Sequence, residues 1–224
     1  MALTALLATG GCATGDAESR PPTGAEIARL DAWYGELLDT GPAEAGWDAR
    51  GTDLPGLAGE RRWLLLTDAA GRRQLLMPGF ADEREVVPRS WRRLRQWRED
   101  GPRGERASLQ VQPLDARHIL VARGGYRRRG SAFCSDGGAT LSLYERSAPA
   151  SEFTRWEAET LAGYLFDRTR GRTLCARYDS IGGGQYAVRN FDGAGRPLAT
   201  LDQAREIATI VPAAAVEALL FPDL

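Results

Sequence analysis

"YLFDRTRGRTLCARYDSIGGGQYAVRNFDGAGRPLAT" runs from Tyr164 to Thr200, and its reading decides the fold. Apolar and polar residues alternate in short runs. Gly182-Gly183-Gly184 and Asp192-Gly193-Ala194-Gly195-Arg196 interrupt them. Period-two alternation between glycine-rich breaks is the pattern of successive strands joined by tight turns, so the segment reads as an antiparallel meander.

Strands also dominate upstream. "SLQVQP" places Leu109 and Val111 on one face, "HILVAR" is a buried or half-buried strand, and "ATLSLYE" alternates through Leu141 and Leu143. "RRWLLLTDAAGRRQLLMPG" reads as a hairpin folded about Asp68-Ala69-Ala70-Gly71. The Asp-x-Ala-Gly-Arg string at Asp192 echoes the one at Asp68. Their flanks share nothing, so the echo is turn chemistry and not an internal repeat.

Helical spacing marks other segments. "GAEIARLDAWYGELLDTG" repeats Ile27, Leu30, Tyr34, Leu37 and Leu38, with Gly41 as a stop, and predicts a helix that covers the sheet. "PRSWRRLRQWREDG" predicts a helix with Pro88 in its first turn, and "SEFTRWEAETLAG" a short one capped by Ser151. "AGWDARGTDLPGLAGE" is aperiodic and reads as a loop, "DQAREIATIVP" fits either state, and "PAAAVEALLF" predicts a short apolar helix. The expectation is an α+β fold. It has a mainly antiparallel sheet, a β-meander in the C-terminal half, a covering N-terminal helix and a short C-terminal helix, in one globular domain over 25–224.

The chain opens "MALTALLATGGCATGDAESRPPTG". The apolar run before Cys12 is too short to span a bilayer, and small residues directly precede the cysteine. Residues 1–12 resemble a bacterial lipoprotein signal, in which the cysteine is lipidated and becomes the new N-terminus. The resemblance covers this segment only. Thr9 stands where such signals usually carry leucine, and no Lys or Arg precedes the apolar run. It implies attachment to a membrane through lipidated Cys12 and a place in the bacterial cell envelope, facing the periplasm. Ala13, where an inner-membrane retention signal often has Asp, points to the outer membrane. Residues 13–24 are small, polar and rich in Pro and Gly, the composition of a flexible tether. Setting Cys12 aside leaves an even pair, Cys134 and Cys175, expected to form a disulfide in an oxidising compartment.

Composition excludes several chemistries. The formal net charge is −1 and the pI about 6.0, which gives no global basic field for nucleic acid. All 29 Lys+Arg positions are arginine, so Schiff-base, pyridoxal phosphate, phosphate-loop lysine and Ser–Lys chemistry are absent. His118 is the single histidine, which removes multi-histidine metal sites. No metal and no cofactor is expected. Carboxylate chemistry, anion binding by arginine, or binding without chemistry are what survive.

Candidate residues are weighed within those limits. The arginines of "PRSWRRLRQWREDG", above all Arg92, Arg95 and Arg98, suggest a surface for anionic envelope lipid or glycan, with Trp91 and Leu94 turned to the core. The competing reading is a core-docked helix whose arginines are solvated. Cys134 as a reactive thiol fails if it is bridged. Ser180 before three glycines faintly resembles the Gly-Asp-Ser block of one esterase family. Tyr178 replaces the glycine of that block, and no Asp-x-x-His follows. Glu157 with Glu159, or Asp167 with Asp179, offers carboxylate pairs, and His118 in its strand reads as structural. The expected function is a non-catalytic binding or structural module on a lipid anchor. The alternative is an anchored hydrolase using carboxylates or Ser180.

Overall fold

The computed structural model describes residues 41–52, 54, 63–80, 82–101, 106–135, 138–148, 151–198 and 205–212, with 23–25, 28, 215 and 218 singly. The described strands are β1 (Trp63–Thr67), β2 (Arg73–Pro78), β3 (Arg92–Arg98), β4 (Arg106–Pro113) and β5 (His118–Arg129). They continue with β6 (Ala132–Ser135), β7 (Thr140–Glu145), β8 (Leu174–Gly182), β9 (Gln185–Asp192) and β10 (Ile207–Val211). Among the described elements the α-helix is α1 (Arg155–Thr169), which precedes β8.

Hydrogen-bonded neighbours follow the order β3-β7-β5-β4-β2-β1-β10-β9-β8-β6, and β6 returns to pair with β5. That last pairing closes eight strands into an antiparallel barrel. The expected α+β class is therefore corrected to a closed β-barrel. Closure is a property of long-range pairing, and no local pattern reports it. The covering N-terminal helix and the short C-terminal helix of that expectation lie mostly outside the described residues. The described covers of the barrel's outer face are not helices of that kind. They are the irregular strap 41–52 and the connection 79–91.

Strand alternation sorts side chains between the two faces. Leu64, Leu66, Leu76, Tyr178, Tyr186, Val188 and Ala208 pack together inside the barrel. The outer face of β2, β4 and β5 carries Leu75, Met77, Leu109, Val111, Ile119 and Val121, covered by Phe80 and Trp91 of the connection. Glu83, in a 3-10 turn, pins that connection from a buried position. Its carboxylate accepts from Ser142 Oγ at 3.0 Å and from the Tyr144 hydroxyl. Elsewhere Trp47 of the strap covers Cys134, Cys175 and Phe191.

β5 is long enough to serve two partners on one edge. His118–Arg123 pair with β7, and Tyr126–Arg129 pair with β6. The sheet therefore branches. One branch closes the barrel and the other, β7 with β3, forms an open wing. Leu120, Leu141 and Leu143 lie on the face of the wing that continues the barrel interior, covered by Phe153 just before α1 and by Ala158, Leu161 and Ala162 of α1.

Two local expectations are corrected. Residues 92–98 form a strand, not a helix. The register slips between Arg93 and Arg95, leaving Leu94 as a bulge, so Leu94 and Trp97 pack on the same cluster. One extra residue gives two side chains three apart a common face, which imitates helical spacing. Second, α1 extends through Tyr164–Thr169, the start of the stretch taken for strands, and the first strand there begins at Leu174. Its cap is Thr154, in a capping box with Glu157, and not Ser151.

Candidate functional site

The turn Leu114–Arg117 leads into β5 and builds the site around one carboxylate. Asp115 Oδ1 accepts the backbone N–H of Arg117 at 2.8 Å and of His118 at 2.7 Å. Its Oδ2 accepts from Ser151 Oγ at 2.7 Å and from the N–H groups of Glu152 and Phe153, both at 3.1 Å. His118 Nδ1 lies 3.1 Å from Oδ1, and the ring is fully buried. Burial alone raises the Asp115 pKa. The hydrogen bonds from His118, Ser151 and the backbone outweigh it and hold the carboxyl well below its ordinary range.

This turn positions two arginines. Arg117 reaches Glu145 at the end of β7, and Arg146 Nε donates to the Ala116 carbonyl at 2.7 Å. The Arg146 N–H also donates to the Arg117 carbonyl at 3.0 Å, and its guanidinium lies 5.0 Å from the Trp91 ring centre. Arg92, opposite Glu145 across the β3–β7 pair, donates to Glu145 Oε2 at 3.0 Å. Burial raises the Glu145 pKa, but the hydrogen bond from Arg92 and the charge of Arg117 prevail and keep it below its usual value. Behind it, His118 Nε2 stands 3.9 Å from Glu145 Oε1 and has no hydrogen-bond partner among the described residues.

The result is an open cleft of about 440 Å³ lined by Arg92, Arg117, Arg146 and Glu145, together with Ser90, Ser147 and Ala148. Three arginines thus line the cleft beside one carboxylate, and the planar guanidinium fork is the side-chain group that matches carboxylate and phosphate oxygens. No nucleophile with an adjacent base appears among these residues.

Of the arginines singled out in the sequence, the bulge places Arg92 and Arg95 opposite Glu145 and Leu143, on the helix-covered face of the wing. Arg98, opposite Thr140, falls on the other face. Arg95 lies 3.6 Å from Glu159 of α1 and 5.3 Å from the Trp97 ring centre. Arg117 and Arg146 were missed. The string Leu114-Asp115-Ala116-Arg117-His118, an aspartate starting a turn just before a strand, is the local signal for Arg117, and no local signal marks Arg146.

The other candidates are dispersed. Ser180 lies near the end of β8, its N–H bonded to Thr52 Oγ1 at 3.0 Å. The glycines after it form the β8–β9 turn, with Gly183 at φ 61° and Gly184 at φ 75°, the requirement of a two-residue hairpin. Glu157 serves the helix cap, Glu159 pairs with Arg155 and Arg95, and Asp179 pairs with Arg177. Cys134 and Cys175 are directly opposed across β6 and β8, their sulfurs at disulfide distance, 2.12 Å apart. Among the described residues no group of His, Cys, Asp or Glu is arranged to hold a metal ion, and no helix is long and apolar enough to cross a membrane. Cys12 lies outside the described residues.

The fold and the cleft thus define a β-barrel protein with a helix-covered wing and an arginine-lined depression at the wing's root. Comparison with family models, with curated proteins and with solved structures finds no match.

Proposed function

We propose that this chain is a non-catalytic binding module of the bacterial cell envelope, lipid-anchored through Cys12 at the outer membrane, facing the periplasm and engaging anionic envelope lipid or glycan. The observation that carries the binding reading is the convergence of Arg92, Arg117 and Arg146 on one open cleft. The opposed pair Cys134 and Cys175 supports an oxidising compartment, where a bridge across 41 residues would contribute about 4 kcal/mol in the chain-entropy model. The tether composition of residues 13–24 fits a domain held clear of headgroups.

The test uses the full chain. Wild type should sediment with vesicles containing phosphatidylglycerol in a salt-sensitive manner, and replacing Arg92, Arg95 and Arg98 by Gln should weaken that binding with little change in melting temperature. Unchanged binding by the triple variant, or none by wild type, overturns the reading. In cells, Cys12→Ser should release the protein from the membrane fraction. Recovery of wild type entirely as an unlipidated soluble form removes the anchor.

A further inference from the structure

The barrel closes at a thin seam. β6 meets β8 through two residue pairs, Phe133 with Ala176 and Cys134 with Cys175. The other described pairings of the barrel run from three residue pairs in β9–β10 to eight in β8–β9. A ladder this short resists opening poorly by itself.

Side chains supply what the ladder lacks. Inside the barrel the rings of Tyr126, Phe133 and Tyr178 meet edge to face across the seam, with centres 5.9 and 6.0 Å apart. Outside, the sulfurs of Cys134 and Cys175 stand at disulfide distance within the closing pair itself. The strap 41–52 lies over them and grips both banks. On the β5–β6 turn, the Ser131 N–H and Oγ donate to the Asp48 carbonyl at 2.6 and 2.8 Å. On β8, the Tyr178 carbonyl accepts the Thr52 N–H at 2.7 Å, and Arg177 Nη1 donates to the Trp47 carbonyl at 3.0 Å. A Cβ on Gly130 would come within 2.2 Å of the Asp48 carbonyl oxygen, so that turn is shaped for the strap.

Two clasps thus share one place. Cys134 and Cys175 are 1% and 2% exposed, and Trp47 packs against both, which keeps a reductant from the sulfurs while the ring is seated. Trp47 is also the one buried residue of the strap. A segment held by one buried side chain and a few point contacts belongs to the low-stability end of a fold. Reduction acts back on it, because two thiol sulfurs must part from bonding distance to van der Waals contact beneath a close-packed ring.

We infer that the β6–β8 seam is a redox latch. A dithiol reductant reaches Cys134–Cys175 when the strap lifts, and reduction opens the seam while the wing stays folded. In the exchange, one thiolate of the dithiol attacks a cysteine sulfur and breaks the Cys134–Cys175 bond, and its second thiolate resolves the mixed disulfide. Two electrons and two protons pass to the protein, leaving two cysteine thiols and the oxidised dithiol. The arginine cleft takes no part.

Dithiothreitol is the probe, on the full chain under native conditions, with released thiols titrated over time. Trp47→Ala should speed reduction about tenfold or more, since the strap loses its buried anchor. Ser131→Ala, which leaves the core intact, should speed it about fivefold, the scale of a lost hydrogen bond, and keeps the gate testable if Trp47→Ala unfolds. Hydrogen–deuterium exchange of the reduced protein should rise in 41–52, β6 and Cys175–Tyr178, stay unchanged in β3, β7 and α1, and return on reoxidation. Reduction at the wild-type rate in the folded variants overturns the inference. So does exchange that is unchanged on reduction, or that rises throughout, wing included, which would make the bridge a staple of the whole fold.

Discussion

Two turns of this protein share one chemistry and meet different surroundings. In Asp68–Arg72 the aspartate Oδ1 accepts the N–H groups of Ala70 and Arg72 at 2.9 and 2.8 Å, and Oδ2 pairs with Arg72 Nε at 2.7 Å. In Asp192–Arg196 the same oxygens take Ala194 and Arg196, at 2.9 Å each, and Arg196 Nε at 2.7 Å. Their glycines agree as well, Gly71 at φ 78° and Gly195 at φ 81°. A Cβ on Gly71 would meet nothing, whereas one on Gly195 would come within 2.2 Å of the Trp47 indole. The strap also binds the second turn, through the Glu44 N–H on the Gly195 carbonyl at 3.0 Å. Five residues are enough to write the turn, and what presses on it is written elsewhere in the chain.

The sharpest test of that contrast is Gly195→Ala, which combines left-handed backbone strain with overlap against a buried ring. We expect a loss of about 4 kcal/mol in chemical denaturation. A loss no greater than that of Gly71→Ala would show that the strap does not press on the second turn.

A third aspartate turn extends the comparison. Asp115 opens its turn as Asp68 and Asp192 do, but its second oxygen is captured by residues 151–153. Asp115→Ala should cost about 3 kcal/mol, because several buried donors lose one acceptor. Its depressed pKa adds a pH signature. The ionised form stabilises the fold fully above the unfolded value of 3.8, and that contribution is lost as pH falls below it toward the folded value. Melting temperature measured from pH 5 down to pH 2 should therefore fall less steeply in Asp115→Ala than in wild type. Parallel curves would remove Asp115 from the account.

Smaller effects test whether the two turns are matched. Asp192→Ala and Asp68→Ala should each cost about 1 kcal/mol, the worth of a capping-type side-chain acceptor at an exposed turn. Equal losses are expected, since the bond pattern is the same. Gly71→Ala should likewise cost only about 1 kcal/mol, from positive φ alone. A loss near that of Gly195→Ala would mean that backbone strain, and not Trp47, governs both sites.

These cases mark how far the sequence reaches. The hairpin at Asp68, the strands of β4, β5 and β7 and the β8–β9 turn were all legible, because period-two alternation and Asp/Gly chemistry act over a few residues. The segment at Trp91–Arg98 was misread because a bulge at Leu94 mimics the helical repeat. The bulge exists only against β7, 46 or more residues away along the chain. Part of the site was legible too. Arg92 was marked as an anion contact, whereas Arg117 and Arg146 were not, since nothing local ties the turn before β5 to the end of β7.

By itself, the sequence determined the turn chemistry, the strand alternation, the pairing candidates Cys134 and Cys175, and the removal of lysine and multi-histidine chemistry. Each depends on residue identity or on neighbours within one turn. Tertiary structure alone decided that eight strands close into a barrel, that β5 splits its edge between β6 and β7, and that Arg92, Arg117 and Arg146 meet around Glu145. Those outcomes depend on hydrogen-bond partners and charges far apart in the chain, whose proximity is set by the packing of the whole sheet and leaves no trace in any single window of sequence.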